Sequence, residues 1–285
     1  MGYHYVPQKY LRRFSYTGSG TQVWMYDKQA KVVRLVGIAR VAQSRQFYTP
    51  EEEEKLASVV EGPADPVIEK LIDRQRLTDK ERLQLAFYIA VMIRRVPYRR
   101  KKIYETIVPP TLRETFDSVR RELVTAAERA HIDPLVVSAH LAELSVSEES
   151  YLQDPPTRIH RAVRQPWPTA KIVIAIYDMA WRIVEAPRQS AFIACDNPAF
   201  YFEGYGLGKP ESELTFPLSS THCLHGSWQG PKGGLAFLTT NETFVREFNR
   251  RLASTTDRFA FYHEEAEWIL RLLRKPKIRL NRIRW

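Results

Sequence analysis

The sequence predicts an α+β fold, with a mainly helical centre and a largely antiparallel sheet built from N-terminal and C-terminal strands. Three observations predict it. Short β-rich runs punctuated by turn residues occupy the first fifty and the last hundred positions, whereas helical spacing with start and stop signals fills the middle. The 285 residues are 44% hydrophobic and 12% aromatic, which is enough apolar material for a core. Two cysteines, Cys195 and Cys223, are too few for a disulfide framework. The expected organisation is a single domain over 1–285, with strands and a hairpin in 1–50, helices in 51–186, and strands and helices in 187–285.

Taken in order, Val23 to Tyr26 and Lys31 to Val36 read as a hairpin around Asp27-Lys28-Gln29-Ala30. Glu51 to Glu54 put acidic groups in the first turn of a helix. Thr78 and Glu81 form a capping box ahead of Leu83, Phe87, Ala90 and Ile93, and Pro97 stops that run. Thr111 and Glu114 repeat the box before a face of Leu112, Phe116, Val119, Leu123 and Ala127. Asp133-Pro134 starts a helix expected to reach about Ser145. Pro155-Pro156 and Pro166-Trp167-Pro168 bracket a linker, and one more helix runs from about Thr169 to Glu185. Beyond it, the runs 191–195, 214–216, 223–224, 235–238 and 259–262 read as strands. A helix capped by Thr239 and Glu242 carries Phe244, Phe248 and Leu252, and a terminal helix carries Trp268, Leu272 and Leu273. Lys275 to Trp285 alternates basic and apolar residues, as an edge strand would.

The charge is +10 and clustered. Residues 1–50 hold eight Lys/Arg against Asp27 alone; 94–102 hold six, and 271–285 seven, with no acid. Such clusters attract polyanions through counterion release and steering, or simply keep a surface solvated. No signal-peptide core and no membrane-length apolar run is present, so a reducing cytoplasm is the expected setting. There is no P-loop, no GxGxxG and no GxSxG, which moves P-loop nucleotide hydrolysis and hydride transfer out of the front rank.

An ordered set of segments runs along nearly the whole chain. It comprises His4-Tyr5-Val6-Pro7-Gln8 with Tyr10-Leu11-Arg12 and Phe14, then Glu61-Gly62, then Arg94-Arg95-Val96-Pro97 with Arg99. Cys195-Asp196-Asn197-Pro198, Phe216-Pro217-Leu218-Ser219, Asn249 and Arg258-Phe259 follow. In this order they resemble the bacterial proteins grouped as domain of unknown function family 4238. The resemblance brings no established activity. Some similar proteins are carried among antiviral defence genes of phage-related elements, which implies an effector or sensor role.

The candidate site residues each have two readings. His4, Gln8 and Arg12 share one helical face and would hold a phosphate, a metal or a scissile bond, or else dock the N-terminus. Asp196 and Asn197, at a strand end before Pro198, would serve metal or acid–base chemistry, or else form a turn. Arg94, Arg95 and Arg99 would grip phosphate, or else complement a helix C-terminus. His222-Cys223-x-His225 holds ligand-type residues without a second pair at zinc spacing.

The leading expectation is an antiviral-defence effector acting on nucleic acid as a metal-assisted nuclease. Its site would comprise His4, Glu61, Asp196 and Asn197, with Glu61 and Asp196 holding Mg²⁺ or Mn²⁺ and His4 acting as base. Gln8, Arg12, Arg94, Arg95, Arg99, Arg279, Arg282 and Arg284 would contact phosphate. The alternative is a non-catalytic module that binds nucleic acid or a phage protein.

Overall fold

A computed structural model describes residues 3–16, 19–44, 49–274 and 282–283. The chain divides into two compact units, Met1–Pro97 with Pro166–Trp285, and Tyr98–Gln165.

In the larger unit, β1 (Tyr3–His4) leads into α1 (Gln8–Arg12), and the expected hairpin forms from β2 (Gln22–Asp27) and β3 (Val32–Gly37). Asp27 Oδ1 accepts from Gln29 N and Ala30 N, both at 2.9 Å, which shapes the hairpin turn. After β4 (Gln43–Ser44) the helices begin: α2 (Pro50–Lys55), a π-helical turn over Leu56–Glu61, α3 (Gly62–Ile72) and α4 (Asp79–Arg94). Thr49 caps α2 and Thr78 caps α4, each through a reciprocal box with Glu52 and Glu81 respectively. On α4 the buried residues include Leu85, Ala86, Ile89 and Met92 together with the expected Ala90 and Ile93. Phe87 is half-buried and Leu83 is 48% exposed, so of the expected face Leu83 alone lies outside the core.

The smaller unit is helical: α5 (Pro97–Thr106, beginning at its boundary), α6 (Val108–Arg129), α7 (Pro134–Gln153) and α8 (Thr157–Arg164). Three expectations change here. Helix α6 starts at Val108 with its prolines in the first turn, so Thr111 is interior and its hydroxyl donates to Ile107 O at 2.8 Å rather than capping. Helix α7, capped by Asp133 Oδ1 on Leu135 N at 2.8 Å, runs on to Gln153. The expected linker folds as α8, whose Val163 packs with Ile103, Val108 and Leu112.

Returning to the larger unit, α9 (Ala170–Asp178) is followed by β5 (Ala180–Glu185), where one continuous helix was expected. The break has a local cause. Arg82 of α4 donates Nε to Tyr177 O at 2.9 Å and Nη2 to Met179 O at 2.6 Å, and its guanidinium lies 3.8 Å from the Trp181 ring centroid. Those interactions satisfy carbonyls at the helix end, and β5 is then bonded on both sides.

The remaining elements are β6 (Ala194–Cys195), β7 (Phe200–Tyr201), β8 (Glu213–Pro217), β9 (His222–Ser227), β10 (Leu235–Thr239), α10 (Glu242–Thr255), β11 (Phe259–Tyr262) and α11 (Glu267–Arg274). The cap of α10 is Asn241, which accepts from Thr243 N and Phe244 N, while Thr239 belongs to β10. Two larger sheets form in place of one. The order β3-β2-β11-β6 joins N-terminal and C-terminal strands antiparallel, and β10-β5-β9-β8-β7 is built wholly from 180–239, with β10 parallel to β5. The expected strand over 275–285, with Arg279 and Arg284, lies outside the described residues except for Arg282 and Ile283. Among the described residues no helix is long and apolar enough to cross a membrane.

Candidate functional site

The N-terminal motif builds a polar cluster. Pairing of β1 with β4 and the bond from Tyr5 N to Ala42 O, 2.9 Å, hold His4 in extended backbone. Pro7 then opens α1 and sets Gln8 four residues on. His4 Nδ1–H donates to Val41 O at 3.0 Å, and the Gln8 amide donates to His4 Nε2 at 3.1 Å. That pair of bonds fixes the neutral tautomer protonated on Nδ1. Burial, aided by the Arg95 charge, lowers the imidazole below its ordinary value. Arg95, 1% exposed at the end of α4, donates Nη1 to Glu61 Oε1 at 2.6 Å and Nη2 to the His4 carbonyl. Glu53 stands nearby, with its carboxyl pushed up by burial and pulled down by Arg95. His4, Gln8, Glu61 and Arg95 are therefore brought together. Arg12 is exposed on α1 and has no ion pair among the described residues.

Asp196 and Asn197 sit in a different setting. Asp196, 4% exposed, accepts from Asp257 N at 3.0 Å, Arg258 N at 2.7 Å and Phe259 N at 2.8 Å. Burial raises its carboxyl to about 6, against the pull of those three donors. Asn197 Nδ2 donates to Thr255 O at 3.2 Å. Among the described residues Asp196 makes no hydrogen bond to His4 or Glu61. Each of the two carboxylates assigned to a cation is committed elsewhere, Glu61 to a guanidinium and Asp196 to backbone. Among the described residues no group of three or more His, Cys, Asp or Glu gathers to hold a metal ion. Asn249 and Arg258, also in the motif set, serve architecture too: Asn249 bonds Ile193 N and Ala191 O, and Arg258 clamps Asp27.

Sequence reasoning marked His225 only within His222-Cys223-x-His225 and missed the buried charge cluster to which it belongs. Glu213 on β8, His225 on β9 and Arg251 on α10 are each at most 1% exposed. Arg251 Nη2 lies 2.8 Å and His225 Nε2 3.3 Å from Glu213 Oε2, which also accepts from Ile283 N at 3.2 Å. Burial lowers His225, and the Arg251 and His225 contacts hold Glu213 down. Alternation along β9 sends His222 to the opposite face from His225, so those two do not share a ligand. The signals in the sequence were Glu213 and His225 inside or beside β-rich runs and Arg251 next to Leu252 on the apolar face of a helix.

In the helical unit, α5 and α8 lie side by side. Arg100 Nη2 donates to Arg164 O at 2.6 Å, and Tyr104 and His160 bond at 2.7 Å. Together the two helices carry seven Lys/Arg and one acid, Glu105. Arg158, Arg161 and Arg164 recur along one exposed side of α8, opposite the buried Val163. Arg99 is half-buried on α5 and Arg94 half-buried on α4.

These features define an α+β protein with a strongly basic helical surface and interior charge clusters locked by their own partners. The chain belongs to the family described as protein of unknown function (DUF4238), whose model matches residues 3–266. No curated protein and no solved structure matches it.

Proposed function

We propose that this chain is a non-catalytic polyanion-binding module, with nucleic acid as its ligand and the basic face of α5 and α8 as its contact surface. The observation that carries this reading is the arginine row of α8. Arg158, Arg161 and Arg164 span about 9 Å of helix axis, and their helix is anchored from its other side, so they are held rather than trailing. Row and neighbouring α5 form a nearly acid-free surface suited to phosphate contact and counterion release.

Anisotropy of a labelled duplex and a labelled single strand, titrated with protein over a range of KCl, tests it. Arg158, Arg161 and Arg164→Gln together should lower the log–log salt slope by about 0.9 per lost contact on duplex and about 0.7 on single strands. An unchanged slope in a folded triple variant would sink the reading.

A second, catalytic reading is favoured by one observation, the neutral His4 held by Val41 O with Nε2 directed at Gln8. In it the protein is a nuclease with His4 as base. Incubation of DNA and RNA with Mg²⁺ or Mn²⁺ separates the two. Intact substrates support the binding module, and cleavage abolished by His4→Ala supports the nuclease.

A further inference from the structure

A recess of about 330 Å³ opens among α10, α11, β11 and the stretch 189–191. Two of its walls are aromatic. Tyr262 and Trp268 meet edge to face with centroids 5.5 Å apart and planes at 83°. The loop beyond Tyr262 is fixed from behind, because Tyr26 Oη donates to Glu264 O at 2.9 Å and accepts from Ala266 N at 2.6 Å. Asn249, also at the recess, has its amide oxygen and nitrogen bonded to Ile193 N and Ala191 O.

The charges at the recess are Glu242, Glu264 and Arg246. Arg246 Nη2 is 3.6 Å from Glu242 Oε2, so those two offset one another. Glu264 lies 3.9 Å from His263 Nε2, whose protonation burial disfavours, and it has no Lys or Arg partner among the described residues. The recess thus presents aromatic rings and one surplus carboxylate on a protein of net charge +10. Ring faces attract cations, and screening beyond roughly 8–10 Å confines the repulsion of the distant basic clusters.

We infer that this recess binds an organic cation, an ammonium or guanidinium group on a short apolar stem, with the stem against Tyr262 and Trp268 and the charge facing Glu264. A volume of this size takes the stem as well as the head group. Such a group is carried by a lysine or arginine side chain of a peptide and equally by a free diamine.

Calorimetric titration of the full chain with four probes tests the site: cadaverine, a lysine tripeptide blocked at both ends, 1-pentanol and inorganic phosphate. Both amines should bind, and the alcohol and phosphate should not. Trp268→Leu should weaken the amines about 3- to 30-fold, with Trp268→Phe retaining most of the affinity. Glu264→Gln should weaken them about 2- to 5-fold; its side chain lies on a loop held by backbone bonds, so it tests the site even if Trp268→Leu unfolds. Tighter binding of the tripeptide supports the site with a protein side chain as ligand, and tighter binding of cadaverine supports it with a free amine. No amine binding, preference for phosphate, or equal amine affinity in wild type and folded variants would overturn the inference.

Discussion

At Asp196 three backbone N–H groups converge on one carboxylate and tie the end of β6 to the start of β11, more than sixty residues away. Asparagine at this position could accept from only one side, and its amide would face a donor. Asp196→Asn should therefore cost about 1–3 kcal/mol in urea unfolding. An unchanged midpoint would show that the carboxylate is not structural. The Asp-Asn-Pro sequence announced a turn at a strand end, but nothing local in it named residues 257–259 as partners. The same limit explains what else was hidden. His4 and Gln8 were legible as a pair because they are four residues apart, whereas Arg95, read as a phosphate contact or a helix-end cation, is enclosed between Glu61 and the His4 carbonyl. Glu213, His225 and Arg251 meet only through sheet pairing and helix packing, so no spacing rule could join them.

Among the elements, a start signal was a sound guide where the side chain caps in fact, as at Thr78, and misled at Thr111 and Thr239. Short apolar runs found β8 to β11, but apolar character alone did not separate helix from strand over 169–185. The box at Thr78 is present as expected, with Glu81 Oε2 accepting from Thr78 N at 2.8 Å and Glu81 N donating to Thr78 Oγ1 at 3.3 Å. Lys70 also pairs with Glu81, and these partners hold its carboxyl down at about 2. The run 169–185 is mostly apolar with no Pro or Gly to divide it, a pattern that buried helix and buried strand share, and the Arg82 contacts that divide it come from another helix. The prolines around α8 suggested a linker because the packing of Val163 on Ile103 is non-local. Two threonines separate a real cap from an apparent one. Thr78→Ala should lower stability by about 1 kcal/mol, since it strips a cap. Thr111→Ala should be neutral or slightly stabilising, because that threonine is inside α6 and alanine is the better helix former. Urea midpoints of both variants check the pair; equal losses would refute the assignment of α6 from Val108.

For the molecule as a whole, the response to acid depends on two opposed sets of buried groups. His4, His222, His225 and His263 are each lowered by burial below the ordinary value of 6.5. As pH falls below about 6.5 the unfolded chain takes up protons at these positions before the folded chain does, so stability is lost. Asp196 works the other way. Its carboxyl is raised to about 6 from an ordinary 3.8, so between those values the folded chain binds a proton that the unfolded chain does not. That contribution grows as pH falls through the window and reaches at most about 3 kcal/mol. Four histidines oppose Asp196 and Glu53, the latter also raised by burial, and self-repulsion of a chain already at +10 rises in acid too. Stability should therefore fall from pH 7 to pH 5 at constant salt. In Asp196→Asn the starting stability is lower, but the decisive quantity is the slope: with this opposing group removed, the fall over the same interval should be steeper. Urea midpoints of both proteins at pH 7, 6 and 5 measure it. Parallel profiles would mean that Asp196 titrates alike in the folded and unfolded chains, and a wild-type profile rising into acid would mean that the raised carboxyls outweigh the histidines.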